Sequence, residues 1–158
     1  SPFHDVNEPA PTVEIVERAL DVMPEAWITL ADTTGTATPR RIAEVIDALP
    51  HAARSELGLH LHDTRATALA NALAAIEHDV RRFDTAVGGL GGSPFAPGAG
   101  GNLATEDLVL VLHDLGHTTG IDLDELLATS RTLADLVGHE VPSRVSSAGT
   151  LPEFGAPR

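Results

Sequence analysis

The stretch Gly58-Leu59-His60-Leu61-His62-Asp63-Thr64 decides how the chain is read. An apolar run from Leu57 to Leu61 carries two histidines two residues apart. In a strand, side chains alternate between faces with a period of two. His60 and His62 then share one face, and Leu59 and Leu61 share the other. Two imidazoles on one face, at the end of a strand, can act as paired metal ligands. The competing reading is a polar patch on an exposed strand face. An isolated His-x-His does not choose between the two, so the surrounding chain must.

Upstream, Ala26 to Ala31 is a short run with a β-branched centre and is expected to be a strand. It ends in the polar turn Asp32-Thr33-Thr34-Gly35. Downstream, Arg82 to Val87 is expected to be a third strand. Helical spacing fills the gaps. One helix is expected over Thr12 to Met23, stopped by Pro24. A second starts at Thr38-Pro39, a cap followed by a first-turn proline, and stops at Pro50. An alanine-rich helix is expected over Arg65 to Asp79. Two more follow, from Thr105 to about Leu115 and from Leu123 to about Val137, the latter capped by Asp122 and closed by Gly138. Residues 1–140 read as one unit, and 141–158 as an irregular tail.

The order αβαβαβαα, with strands recurring every 25–30 residues or so, is the rhythm of βα units on a parallel sheet. Parallel strands put their carboxyl ends on one side, where α/β proteins place their chemistry. Asp32, His60, His62 and the stretch Gly88 to Gly101 all fall at those ends. That placement favours metal binding for the histidine pair. A Mg or Mn ion would want oxygen ligands as well, and Asp32 and Asn102 are candidates. Asp63 alternates away from the histidine face and is expected to serve as a helix cap or a supporting partner.

Composition narrows the partners. The chain has 158 residues, 42% of them hydrophobic but only 3% aromatic, so its core must be built from Ala, Leu, Val and Ile. Net charge is -13, and all ten basic residues are arginine. Such a surface repels nucleic-acid backbones and anionic membranes. The apolar run a bilayer needs is absent, and a soluble cytoplasmic protein is expected. Without cysteine there are no disulfides, thiolate metal sites or thiol nucleophiles. The Gly-rich stretch lacks the lysine of a phosphate loop and the following helix of a dinucleotide fingerprint. Its functional reading is a lid over substrate.

Four stretches together carry a resemblance. They are Asp32-Thr33-Thr34-Gly35 with Thr38-Pro39; His60-Leu61-His62-Asp63-Thr64; Gly88-Gly89-Leu90-Gly91-Gly92-Ser93-Pro94-Phe95; and Gly101-Asn102-Leu103-Ala104-Thr105-Glu106-Asp107. The chain resembles 3-hydroxy-3-methylglutaryl-CoA lyase, within the metal-dependent aldolase and acyl-transferase barrels, from Ser1 to about residue 145. Ser1-Pro2-Phe3 is similar to the end of that family's fifth strand. The resemblance implies part of a (β/α)₈ barrel, about the last three to four βα units plus a C-terminal helix. It implies metal ligands at His60, His62 and Asn102, catalytic roles for Asp32, His60 and Ser93, and substrate contacts at Thr33, Gly91 and Gly92. Ser93 stands where the lyases use a cysteine.

The implied reaction is cleavage of a 3-hydroxyacyl-CoA thioester to acetyl-CoA and acetoacetate, dependent on Mg or Mn. Alternatives are a condensing synthase of the same superfamily and a non-catalytic half-barrel that pairs with another chain. A full barrel takes about 250 residues, and the family's first strand supplies an acidic ligand and an arginine. The chain is therefore expected to be the C-terminal half. Alone it should bind metal weakly, show no turnover and self-associate, as a homo-oligomer or with the N-terminal half-barrel it lacks.

Overall fold

A computed structural model describes residues 8–54, 56–92 and 98–150, with the side chain of Ala52 also outside the description. Two compact units emerge. The first comprises residues 1–84 and 92–100, and the second residues 85–91 and 101–158.

The first unit is a βα layer. Three strands, β1 (Ile28–Asp32), β2 (Leu57–Leu61) and β3 (Arg82–Asp84), form one sheet in the order β1-β2-β3. Both pairings are parallel, with Ile28 beside Leu57 and Asp32 beside Leu61, then Gly58 beside Arg82 and His60 beside Asp84. Helix α1 (Pro9–Val22) precedes β1, α2 (Pro39–Ala48) and α3 (His51–Arg54) lie between β1 and β2, and α4 (Ala68–Glu77) lies between β2 and β3. This is the α/β arrangement of parallel strands that the sequence predicts.

Alternation along β2 builds the core. Leu57, Leu59 and Leu61 are each no more than 2% exposed, worth roughly 1.5–3 kcal/mol apiece on burial. The opposite face carries Gly58, His60 and His62. Gly58 lets β2 approach β1, since a Cβ there would sit 2.9 Å from Thr29 Oγ1. Helix α4 presents Ala68, Ala72 and Ala75, all fully buried. Their small side chains suit a chain with so few aromatics, because they let helix and neighbours pack closely.

Helix α4 starts three residues later than its apolar periodicity suggests. The Asp63 carboxylate accepts the Ala68 N–H at 2.9 Å, the capping role expected for it. Ala66 takes a left-handed φ of 57° within the turn, which no helix interior accommodates. Strand β3 is likewise shorter than the run to Val87. The chain leaves the ladder after Asp84 and forms the 3₁₀ turn Val87–Gly89, with Gly88 at φ 70°.

The second unit holds that turn with α5 (Thr105–Asp114), α6 (Leu123–Val137) and α7 (Arg144–Ala148). Helix α6 has the expected ends. Asp122 accepts the Glu125 N–H at 3.0 Å, and Gly138 closes the helix in the left-handed region. Residues 141–150 depart from the expected irregular tail. The Asp107 carboxylate accepts from Ser143 Oγ at 2.8 Å, Val145 N at 2.9 Å and Arg144 N at 3.1 Å. It thereby caps α7 and holds Val141 and Val145 in the core. No local periodicity announces a helix of five residues; a carboxylate distant in sequence organises it.

Two expectations follow. Ala72→Leu should cost about 1–3 kcal/mol by overpacking, read as a lower midpoint in urea unfolding. Asp107→Ala should cost about 1–3 kcal/mol by stranding the α7 donors. Hydrogen exchange should then show protection lost across 143–148, in α7, before it is lost in α5.

Candidate metal centre at the histidine pair

His60 and His62 lie on one face of β2 and its extension, with ring centroids 4.9 Å apart in an edge-to-face arrangement. His62 is buried and His60 about a quarter exposed. Each ring is held through Nδ1. His62 Nδ1–H donates to the main-chain oxygen of Asp32 at 2.9 Å. His60 Nδ1–H donates to Asp84 Oδ2, also at 2.9 Å. A carbonyl or a carboxylate can only accept, so in both neutral rings the proton sits on Nδ1 and the lone pair on Nε2. This is the arrangement by which protein histidines are presented to metals. The residues present thus fit a divalent ion held through two Nε2 atoms. No group of three or more His, Cys, Asp or Glu that could hold an ion occurs among the described residues.

Asp32 reaches the pair through its backbone, not its side chain. The register sets Asp32 beside Leu61, on the leucine face. Its carboxylate, 8% exposed, accepts from Thr36 N and Ala37 N, each at 3.0 Å. This corrects the expectation that the Asp32 carboxylate would join the histidines: alternation turns it away. The same loop is tied from behind by Thr67 Oγ1 and Asn71 Nδ2, both donating to Ala37 O. Thr33 is half-buried in the turn directly after β1. Gly35, at φ 64°, lies so close to Thr64 that a Cβ would meet Thr64 Oγ1 and the His62 carbonyl. A glycine is therefore needed where the β1 turn crosses the end of β2.

A cavity of about 460 Å³ in this unit is lined by Leu30, Asp32, Thr36, Ile42, Leu59 and Leu61, among others. It lies on the leucine side of the sheet, between strands and helices, and neither histidine borders it. It is therefore separate from the histidine pair.

In the second unit, Asn102 is held by its amide nitrogen, which donates to Leu90 O at 2.9 Å. Its Oδ1 is buried and has no hydrogen-bond partner among the described residues. An orphaned buried oxygen of this kind suits a ligand role. Gly91, at φ 102°, is part of the reason: a Cβ there would lie 2.5 Å from Asn102 Nδ2. Gly92 belongs to the first unit, is exposed, and has only ordinary contacts. Ser93 lies outside the described residues.

Two acidic residues escaped the sequence reading. Asp84 emerges only from the β2–β3 register, which sets it beside His60. Strand parity, counted across two strands, was the available signal. Glu106, in the first turn of α5, is fully buried, with both carboxylate oxygens within 3.0 Å of Gly88 N.

The HMGL-like family matches residues 4–133. (R)-citramalyl-CoA lyase of Chloroflexus aurantiacus is 44% identical over 95% of this chain and 47% of its own length. The mitochondrial hydroxymethylglutaryl-CoA lyase of mouse is 38% identical over 93% of this chain and 45% of its own. Among solved structures, an HMG-CoA lyase of Acinetobacter baumannii in complex with coenzyme A and 3-methylmalate superposes with a TM-score of 0.85 and 43% identity. That match covers 99% of this chain and 52% of the other. The fold is thus the matching part of a lyase-type barrel, and the chain spans about half the length of the curated relatives it matches.

Gly91→Ala should displace the Asn102 amide. The expected result is a loss of about 1–3 kcal/mol from the forced left-handed backbone, with the Asn102 side-chain amide protons losing their exchange protection in NMR spectra.

Proposed function

This chain belongs to the HMGL-like family, and we propose that the whole protein is a divalent-metal-dependent carbon–carbon lyase acting on a 3-hydroxyacyl-CoA thioester. The observation that carries the reading is the histidine pair, with both Nδ1 atoms committed and both Nε2 lone pairs presented. The family and the named lyases among its relatives support the reaction type.

The reaction removes the proton of the 3-hydroxyl and breaks the bond between C2 and C3. The electron pair passes to a thioester enolate, which is then protonated to acetyl-CoA, while C3 leaves as a ketone or keto acid. A divalent cation, when bound, would polarise the carbonyl that forms and chelate substrate oxygens. His60 and His62 would hold it through Nε2. Asn102 Oδ1 is proposed as an oxygen donor of the kind Mg or Mn prefers. With Nδ1–H on Asp84 and Nε2 given to a metal, His60 has no nitrogen left for proton transfer, so we assign it as a ligand only. Asp32, expected to do acid–base work, is proposed to act by placement, orienting His62 with its carbonyl and the loop before α2 with its carboxylate. Thr33 and Gly92 remain proposed substrate contacts, and Gly91 acts through Asn102. Ser93 is proposed, from the resemblance, as the loop donor that protonates the enolate.

Two substrates fit this chemistry. Hydroxymethylglutaryl-CoA would yield acetoacetate, and citramalyl-CoA would yield pyruvate. The second reading is favoured by the 44% identity to the citramalyl-CoA lyase over nearly the whole chain. Serine in place of the lyase cysteine is also consistent with a substrate other than hydroxymethylglutaryl-CoA.

The deciding experiment supplies both thioesters to the full protein loaded with Mn and identifies the product released beside acetyl-CoA. Cleavage of neither, with metal bound, would sink the lyase reading. His62→Ala should weaken Mn binding by at least about two orders of magnitude, beyond what an outer partner contributes. Ser93→Cys should raise turnover on hydroxymethylglutaryl-CoA by about tenfold or more; an unchanged rate would remove Ser93 from the proton-transfer step.

A further inference from the structure

The two imidazoles are oriented by different kinds of partner. His62 leans on the main chain of Asp32, which no substitution at position 32 removes while the strand persists. His60 leans on a side chain, the Asp84 carboxylate. The β2–β3 register fixes this second contact by pairing His60 directly with Asp84, so the two side chains rise on the same face of neighbouring parallel strands. The Asp84 side chain is 65% exposed against 26% for His60. It therefore contributes little to the core, and among the described residues its hydrogen-bond partner is the imidazole.

We propose that Asp84 is a positioning residue of the metal centre: its carboxylate accepts the His60 Nδ1–H, fixes ring and tautomer, and keeps the Nε2 lone pair available to the ion. The inference rests on the metal reading of the histidine pair. Without Asp84 the exposed edge of the His60 ring has no acceptor among its described partners. The proton can then occupy Nε2, the more stable site in free imidazole, and that tautomer cannot ligate through Nε2. The carboxylate also places a negative charge near the ion that the ring would hold. His62 has no such dependence and serves as an internal control in the same molecule.

The test uses the full protein and two readouts. The first is ¹⁵N NMR of the imidazoles in metal-free protein at mildly alkaline pH, which reports each ring's tautomer without reference to activity. Both rings should show Nδ1–H in the unaltered protein. Asp84→Ala should move His60 toward the Nε2–H form and leave His62 unchanged. The second is Mn titration followed by electron paramagnetic resonance. Asp84→Ala should weaken binding by about 10–100-fold, and Asp84→Asn, which keeps an acceptor but not the charge, by less. Asp84→Glu should restore both the tautomer and most of the affinity, a rescue that a merely structural role would not give. The proposal is overturned if His60 already carries its proton on Nε2. It is also overturned if Asp84→Ala leaves the tautomer and the affinity unaltered. If the tautomers behave as stated but the unaltered protein binds no Mn, the metal reading falls and the positioning of His60 by Asp84 stands.

Discussion

The structure depends on the alternation of β2. From Leu57 to His62 leucine alternates with glycine or histidine, and burial decides which set points inward. Leu57, Leu59 and Leu61 each remove an aliphatic side chain from water against the helix layer. A slip of one residue would bury the imidazoles and expose the leucines, losing several kcal/mol of apolar burial. The histidines therefore face away from the helices because the leucines must face toward them. Orientation of the histidine pair is a by-product of building the core, and it requires no energy of its own.

The same register explains the supporting shell. Once β2 is fixed between β1 and β3, Ala31 and Asp84 become the neighbours of His60, while Asp32 lies beside Leu61. The carbonyl of Asp32 then meets His62, and its carboxylate turns to the loop before α2. One residue thus ties the site to the helix layer through two different groups. Glycine is needed at 35, where strand ends cross, as it is at 91 in the second unit beside Asn102. At 35 a Cβ would collide with Thr64, and at 91 with the Asn102 amide.

The sequence disclosed the elements well, because the signals are strong and local: period-two alternation in β2, proline at the start of α2, and Asp122 and Gly138 around α6. The four motif stretches disclosed the family. What it hid was relational. Asp84 looks like any polar strand residue until the β2–β3 register is known. The Asp32 carboxylate was expected near the histidines, whereas it lies on the leucine face and caps the loop before α2. Parity across a turn cannot be read from one strand alone. Helix α7 was missed because its stability comes from Asp107, 36 residues before Ser143. The start of α4 was misplaced because Ala66 adopts a conformation that its residue type does not advertise.

Asn102 carries a consequence for engineering. A buried carbonyl oxygen left without a donor costs about 1–3 kcal/mol, and Asn102 Oδ1 is such an atom among the described residues. A search for more stable sequences that scores the bare chain would count this atom as a defect and replace Asn102 with something apolar. So would directed evolution for heat resistance in the presence of a chelator. Both would be rewarded in melting temperature for erasing the oxygen donor proposed above. Thermostability selections on this scaffold should keep a divalent ion in the buffer, so that Asn102 is judged with the proposed ligand present.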